Sequence, residues 1–507
     1  MFLLINALLA SVLTGCGEYQ VVTTDNPITS EVISNPGNKL VNGQLDAYKV
    51  KWYMAGNKHY PETDLVEEEL AKKLYSINST VDIQVFPWAE YPNNMSMIIA
   101  SGEQFDICFM GTWTNYFPNV ATGAFVDLTD IAAEKLPNLY AKIDPALLEG
   151  SKVKGRLYGL PTIKETFEAY GLDVDKEFAG QIGADFSKVK TYADLTPILE
   201  MAKEKLPPDV FPMVCTTHSF LRDGAFDNLG DITIPGVVRL DDVSMRVINQ
   251  FESPELIENW KLMRSWYLAG YINKNGAVSG APDYWNQRKG LCRTENMGPV
   301  DEYAGSKNNT IQRVYIGNKV VSTGSAAGSL MCFSKSSRDL DRALLFYDTV
   351  NSDPSLYNLL AFGIEGKHYR VIDRSTDPIR IDFIEGQNED TVGYVHSGGA
   401  WSLGGDWFKS YLSKLDPPDR NTIVRENNDT AIVSRLLGFS FDPVPVKSEI
   451  AACANVYSEL GIPLNCGAID PDTNIPKFIE KLKAAGAGKI IAEKQKQLGE
   501  WRTENGK

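Results

Sequence analysis

Two short segments of the sequence combine aromatic rings with side chains that form hydrogen bonds. An aromatic face can stack on the C–H face of a ring-shaped polar solute such as a pyranose, while carboxylate, amide and hydroxyl groups bond to its hydroxyls. Each tryptophan alone is equally well explained by core packing, but two such segments favour a binding site. The candidate residues are Trp88, Glu90 and Tyr91 in the first segment and Thr112, Trp113, Asn115 and Tyr116 in the second.

Both aromatic segments directly follow a predicted strand. Hydrophobic periodicity predicts strands at 48–54, 81–86 and 105–110, with helices at 63–75 and 94–100 between them. This alternation is typical of an α/β fold with a largely parallel sheet. Ligands of such sheets gather outside the carboxyl ends of the strands, so the two segments are expected to lie side by side. Further helices are predicted at 256–269, 339–350 and 475–501.

Size and charge limit the classes of protein that the chain can belong to. A chain of 507 residues exceeds what one hydrophobic core usually covers, so two domains are expected. The net charge of −15 opposes binding to nucleic acid, because such binding requires basic residues that neutralise phosphates. Nucleic acid is therefore not an expected partner.

The first residues resemble a bacterial lipoprotein signal. An apolar stretch at 2–13 is too short to span a bilayer and runs into Leu13, Thr14, Gly15 and Cys16, a lipobox-like sequence. We expect a signal peptide at 1–16, lipid on Cys16, and a flexible tether at 17–46 that is rich in Thr, Ser, Asn, Pro and Gly. No Lys or Arg precedes Cys16, which departs from the usual signal pattern; the alternative is a buried strand with a chance cysteine.

The remaining six cysteines form no metal-binding or redox motif. They have no CxxC spacing and mostly stand in apolar surroundings, so buried free thiols are expected, and no metal and no cofactor. A bridge between Cys453 and Cys466 stays open as an alternative.

Several runs resemble the extracellular solute-binding proteins of bacterial ABC importers, family 1, in their long lipoprotein branch with an additional C-terminal domain. The resemblance spans nearly the whole chain after Cys16, and GIEGKHY is its most specific run. The runs are SGEQFDI (101–107), GAFVDL (123–128), GRLYGLP (155–161), GIEGKHY (363–369), GFSFD (438–442), PVK (445–447) and QKQL (495–498).

The resemblance implies a two-lobed periplasmic-binding-protein-like fold of type II, in which helices flank mixed sheets and a hinge joins the lobes. Residues 47–160 plus 325–370 would form the first lobe. Residues 161–324 plus 371–507 would form the second, including the family's C-terminal region. Closure by a hinge movement would bury the solute between the lobes.

The function implied by the resemblance is capture of an oligosaccharide or similar polar solute for import. The expected partners are the solute and ABC permease subunits, and the protein would be a monomer that a lipid anchors to the outer face of the cytoplasmic membrane. Glu365 and His368, in GIEGKHY, are expected to play a structural part at the hinge. Further candidates for ligand contact, each with packing between lobes or in a core as the alternative, are Lys164, Glu165, Tyr284, Trp285, Asp301, Glu302, Trp401 and Trp407.

Three other functions compete with solute capture. A secreted carbohydrate-active enzyme needs two suitably spaced carboxylates, which 65 acidic residues cannot exclude, but there are only four histidines and no HExxH, GxSxG or Walker motif. A peptide receptor on the same scaffold would need main-chain partners and a charged clamp, whereas aromatic segments favour rings. An adhesive protein would show repeats, and the sequence shows none. We therefore expect a binding protein and not an enzyme.

Overall fold

The computed structural model describes residues 45–297 and 310–506. The predictions for Cys16, for most of the tether and for Asp301 and Glu302 therefore lie outside the described residues. Within the described part, no helix combines the length and apolar character needed to cross a membrane.

Two five-stranded sheets lie at the centre of the fold, and shorter sheets accompany them. The strands, numbered along the chain, are β1 (Tyr48–Gly56), β2 (Ser79–Pro87), β3 (Ile107–Met110), β4 (Lys152–Val153), β5 (Arg156–Leu157), β6 (Leu160–Pro161), β7 (Glu168–Asp175), β8 (Phe211–Val214), β9 (Phe226–Asp227), β10 (Val237–Arg239), β11 (Val247–Ile248), β12 (Gly290–Met297), β13 (Ile311–Val321), β14 (Leu330–Phe333), β15 (Tyr369–Asp373), β16 (Arg380–Phe383), β17 (Leu412–Ser413) and β18 (Ile432–Val433).

Helices cover the sheets and build the C-terminal part of the chain. They are α1 (Thr63–Lys73), α2 (Tyr91–Ser101), α3 (Tyr116–Ala121), α4 (Ala132–Lys135), α5 (Pro137–Tyr140), α6 (Pro145–Gly150), α7 (Lys176–Ile182), α8 (Thr196–Lys205), α9 (Pro254–Ala269), α10 (Thr323–Ala326), α11 (Leu340–Ser352), α12 (Pro354–Phe362), α13 (Arg420–Thr430), α14 (Lys447–Val456), α15 (Ile462–Asn465), α16 (Pro471–Ala484) and α17 (Ala487–Asn505). The elements predicted for the first hundred residues are confirmed, with ends shifted by a few residues.

The first sheet has the strand order β2-β1-β3-β14-β6. Strand β1 pairs in parallel with β2 and β3, whereas β14 runs antiparallel to both β3 and β6. The predicted parallel core is therefore confirmed, and β14 returns to it from far along the chain. The carboxyl ends of β1, β2 and β3 meet at one edge.

The second sheet has the order β18-β13-β7-β12-β8. Strand β7 lies in the middle and runs antiparallel to β12 and β13. Strand β8 pairs in parallel with β12, so both end on the side where β7 begins. Two mixed sheets flanked by helices confirm the predicted fold class.

The chain crosses between the two sheets several times. It passes from β6 to β7, returns from β13 to β14, and crosses again after α13, where Ser434 N donates to Val321 O at 2.8 Å. The first two crossings are bonded to each other, because Thr162 N donates to Ser329 O at 3.0 Å and their hydroxyl oxygens lie 2.8 Å apart. These adjacent crossings form the hinge.

The first core extends further along the chain than the predicted lobe boundary. Val392, Leu403, Trp407 and Val424 pack into the core of the first sheet, together with the residues of β1 and β3. The segment after residue 370, assigned to the second lobe from the sequence, thus stays in the first lobe until about α13. The reason is that the GIEGKHY run leads into a hairpin on the first lobe and not into the hinge.

His368 illustrates this placement. Its buried Nδ1 accepts a hydrogen bond from Ile364 N at 2.9 Å, so Nε2 carries the proton and lies 2.8 Å from a carboxylate oxygen of Glu62. Glu62 precedes α1, and the histidine therefore joins two distant parts of the first lobe. A structural role of His368 agrees with the prediction. Its location does not, because it lies within the first lobe and not at the crossings that form the hinge.

The C-terminal helices pack on the second lobe. Trp260 of α9 stacks on Phe251 with ring centroids 6.2 Å apart and lies 5.9 Å from the ring of Phe478 in α16. All six cysteines of the described part are free and buried, as expected, and Cys453 lies in a different core cluster from Cys466.

Candidate functional site

Three tryptophans meet at the carboxyl edge of the first sheet. Trp88 follows β2 and Trp113 follows β3, and their ring centroids lie 5.4 Å apart. Trp401, which is distant in sequence, stacks on Trp88 with an interplanar angle of 3° and a centroid distance of 5.6 Å. The structure therefore brings together three of the residues predicted to bind the ligand.

Local backbone geometry presents Trp113 to the solvent. Gly111 N donates to the Thr114 hydroxyl at 2.7 Å, and Trp113 Nε1 donates to Gly328 O at 2.8 Å. A Cβ on Gly111 would lie 2.5 Å from Gly328 O, so only glycine permits this approach to the hinge. The Trp113 side chain remains 50% exposed, and its indole is fixed by a hydrogen bond rather than by burial.

A loop against the end of β1 positions Trp401. The Ser397 hydroxyl donates to Lys58 O at 2.7 Å and accepts from Lys58 N at 3.1 Å. Gly56 and Gly398 face each other so closely that a Cβ on Gly56 would lie 3.0 Å from the Gly398 backbone nitrogen. This contact positions the loop so that Trp401 stacks on Trp88 at the sheet edge.

The predicted pair Lys164 and Glu165 lies in the first crossing. The two side chains form an ion pair and are only 13% and 17% exposed. The Lys164 ammonium lies 5.7 Å from the centre of the Trp401 ring. Asn428 of α13 fixes this segment, since it donates to Lys164 O at 3.1 Å and accepts from Thr166 N at 3.0 Å. The pair thus adjoins the tryptophan cluster.

A cavity of about 640 Å³ opens between the lobes beside this cluster. Residues of the first lobe, the hinge and the second lobe all contribute to its wall. They include Thr112, Trp113 and Phe117 from the first lobe, Glu168, Thr323 and Gly324 from the crossings, and Asp227, Asn228, Phe441 and Lys494 from beyond them. Its volume is in the range of pockets that hold drug-sized ligands.

Acidic groups line the second-lobe side of the cavity. Burial raises the pKa of the Glu168 carboxyl and that of Asp227. One Glu168 oxygen accepts from the Tyr170 hydroxyl at 2.9 Å, and Asn228 Nδ2 donates to that hydroxyl at 3.4 Å. Carboxylates in partly desolvated surroundings are strong acceptors for hydroxyl groups of a ligand.

Lys494 of α17 supplies a buried cation at the cavity. Its Nζ donates to Gly236 O at 2.7 Å and lies 5.4 Å from the centre of the Phe441 ring. Burial lowers the pKa of the ammonium from its ordinary value of 10.5 to about 8.

This shift predicts a specific dependence of stability on pH. Between pH 8 and 10.5 the unfolded state keeps the Lys494 proton while the folded state has lost it, so raising the pH favours the folded state. The free energy of unfolding of the wild type should therefore increase relative to that of Lys494→Met, by at most about 1.4 kcal/mol per pH unit. Urea unfolding of both proteins across this range measures the difference. If the free energies of unfolding of the two proteins changed equally with pH, the lowered pKa of Lys494 would be contradicted.

A second cavity of about 500 Å³ lies on the second lobe at the end of β8. Residues 215–220, Tyr170, Arg222 and Trp285 contribute to its wall. The Arg222 guanidinium lies 4.6 Å from the centre of the Tyr170 ring, and that of Arg293 lies 4.9 Å from Trp285. Tyr170 bonds to Glu168 and Asn228 of the first cavity, so the two cavities share one polar boundary.

The remaining candidates differ in their surroundings. Thr112 lines the interlobe cavity, and Glu90 and Asn115 are exposed at the starts of α2 and α3. Trp285 lines the second cavity, whereas Tyr284 packs on Phe211 with ring centroids 4.9 Å apart.

Three residues that were predicted to contact the ligand are instead buried in the first core. Tyr91 and Tyr116 are fully buried, and their hydroxyls donate to Phe109 O at 2.7 Å and to Ser151 O at 3.1 Å. Trp407 is 2% exposed and packs against Arg420, whose guanidinium lies 4.2 Å from its ring. Because these rings belong to the first core, a solute in the cavities does not reach them.

Several cavity residues were missed from the sequence. Glu168 and Tyr170 begin β7 directly after the first crossing, a position from which alternate side chains of one strand face the cleft. Phe441 stands in the GFSFD run, which was noted only for its resemblance. Arg222, Asp227 and Lys494 carried no local pattern that could have singled them out. Among the described residues, no group of three His, Cys, Asp or Glu could hold a metal ion.

Comparison with known proteins identifies the family. Residues 435–503 match a family model described as a domain of unknown function, DUF3502. The chain is 31% identical over 462 residues to a carbohydrate ABC transporter substrate-binding protein of Streptococcus pneumoniae, covering 89% of this chain and 90% of the relative.

Solved structures agree with this relationship. The crystal structure of the N-glycan transport solute binding protein NgtS from Streptococcus pneumoniae superposes with a TM-score of 0.81 at 29% identity, covering 90% of this chain and 99% of that one. Its complexes with Man1GlcNAc and Man5GlcNAc give TM-scores of 0.72 and 0.69 at 28% and 29% identity, covering 89% and 90% of this chain and 99% of each complex chain. The chain therefore belongs to the carbohydrate ABC transporter substrate-binding proteins.

Proposed function

We propose that the protein captures an oligosaccharide between its two lobes and delivers it to the permease of an ABC importer. The observation that carries the proposal is the interlobe cavity of about 640 Å³, which has the half-exposed Trp113 on its first-lobe wall. Its wall combines aromatic rings with carboxylates, which is the combination that a sugar ring requires. Trp88, Trp401 and the Lys164–Glu165 pair extend this surface along the sheet edge.

The relatives support both the ligand class and the mechanism. The pneumococcal protein is named for N-glycan transport and has been crystallised with two mannose–GlcNAc oligosaccharides. The TM-score of our structure is lower against both complexes than against the structure named without a ligand. Since all three structures are of one protein, this difference reflects conformation, and it supports a closure of the lobes around the solute that completes the contacts of Glu168 and Trp113.

The proposal also includes a lipid anchor in the membrane and a monomeric state. Lipid on Cys16 would hold the protein at the outer face of the cytoplasmic membrane, and the residues up to about 46 would let it reach the permease. It would act as a monomer, since each copy carries a complete cavity. Capture needs no bond breaking, so the bound sugar would leave the protein unchanged.

Thermal unfolding with a panel of ligands tests the proposal. Oligosaccharides of mannose and N-acetylglucosamine should raise the melting temperature, because a ligand at one hundred times its Kd adds about 2.7 kcal/mol to the free energy of unfolding. Peptides and free amino acids should have no effect. Mass spectrometry of the sugar recovered after incubation should show an intact chain. A response to peptides alone, or cleavage of the sugar, would contradict the proposal.

A further inference from the structure

The C-terminal region, residues 435–503, reaches the interlobe cavity. Residues of this region form the second-lobe wall of the cavity, whose first-lobe wall includes Trp113 and Phe117. The residues of this wall are Phe439, Ser440, Phe441, Pro443, Ile450, Ala454 and Lys494.

Hydrogen bonds hold this wall in a defined conformation. The Gln497 side chain accepts from Asp442 N at 2.8 Å and donates to Asp442 O at 3.0 Å, so α17 fixes both main-chain groups of the loop. The Phe439 ring packs edge-on against Trp501 at 5.8 Å. The loop is therefore fixed before a ligand arrives, which reduces the entropy lost on binding.

The same region is bonded to the hinge. Gly438 N donates to the Thr323 hydroxyl at 2.9 Å, and that hydroxyl donates to Leu436 O at 3.3 Å. Thr323 and Gly324 themselves line the cavity. The wall thus keeps its position relative to the crossings.

We propose that the C-terminal region forms a second sugar subsite, which receives the end of the oligosaccharide and makes affinity depend on chain length. This inference rests on the proposed function. Trp113 supplies the first-lobe aromatic surface, and Phe441 supplies a second one across the cavity, with the ammonium of Lys494 5.4 Å from its ring. A short ligand contacts Trp113 and Glu168 but does not reach Phe441, whereas a longer one also stacks on Phe441.

A cavity-filling substitution tests the subsite. Ala454→Trp places an indole in the wall, whereas Ala451→Trp places the same group at an exposed position of the same helix. Calorimetric titration with Man5GlcNAc and Man1GlcNAc compares a long with a short ligand. Ala454→Trp should weaken binding of Man5GlcNAc about tenfold or more and leave Man1GlcNAc within about twofold, while Ala451→Trp changes neither.

Phe441→Ala provides an independent test that does not depend on tolerance of a large side chain. It should show the same selective loss for the longer sugar, and circular dichroism checks that each variant is folded. Unchanged affinity for Man5GlcNAc in Phe441→Ala, or an equal loss for both sugars, would overturn the subsite while leaving solute capture intact. If the wild type bound neither these sugars nor any other oligosaccharide, the proposed function itself would fail.

Discussion

Trp113→Ala should lower the affinity for oligosaccharide by about thirtyfold or more. A tryptophan that stacks on a ligand at the centre of a site contributes about 2 kcal/mol or more, and 1.4 kcal/mol corresponds to a factor of ten. The ring is half exposed at the sheet edge, where it donates to Gly328 O and contacts the rings of Trp88 and Phe109, so its removal should leave both cores folded. Isothermal titration calorimetry with Man5GlcNAc measures the loss.

Tyr75→Ala is the matched control for Trp113→Ala. Tyr75 is 71% exposed on the first lobe and is not part of either cavity wall. Its removal should change affinity by less than about twofold, because surface substitutions away from a site are nearly neutral. Equal affinity of wild type and Trp113→Ala would exclude stacking on this indole.

Glu168→Ala should weaken binding by about tenfold to a hundredfold. Glu168 lines the interlobe cavity, where its carboxylate can accept a hydrogen bond from a ligand hydroxyl. A hydrogen bond to a charged acceptor contributes about 1.5–3 kcal/mol. Because burial raises the pKa of Glu168, ionisation of this carboxyl does not stabilise the folded state, so loss of the charge itself should not unfold the second lobe. Calorimetric titration of Glu168→Ala and Glu168→Gln with the same oligosaccharide separates the effect of the charge on affinity from the effect of the side chain's shape.

We also expect the affinity for oligosaccharide to depend on pH through Glu168. Because the pKa of Glu168 is raised, its carboxylate becomes protonated at a higher pH than an ordinary glutamate, and affinity should fall on acidification at that pH. Glu168→Gln should lack this component of the profile. A wild-type profile identical to that of Glu168→Gln would contradict the role of the carboxylate as an acceptor.

The sequence predicted the sheet edge better than the side chains that face the cavity. The neighbouring positions of Trp88 and Trp113 follow from two parallel strands, since parallel strands end at the same edge. Tyr91 and Tyr116 failed as predictions because each is the first residue of a helix, α2 or α3, that turns its inner face onto the sheet. The end of a strand fixes where the backbone lies, but it does not fix the direction of the following side chains.

Tertiary contacts determined the parts that the sequence could not predict. Trp401 reaches Trp88 only because Ser397 and Gly398 pack against the end of β1. Trp407 lies six residues later and belongs to the core, although both tryptophans stand in the same glycine-rich segment. The contribution of Lys494 depends on how α17 packs against the second lobe, which no local periodicity specifies.

The interleaving of the two lobes constrains how the protein matures. The first sheet contains β14, and its core contains residues as far along as Val424. During vectorial synthesis and export, the amino-terminal half therefore emerges with unpaired strand edges and exposed apolar side chains. A nascent chain that stops short of residue 424 lacks part of its first core, so truncated products are expected to be prone to aggregation and degradation rather than to persist as half-receptors.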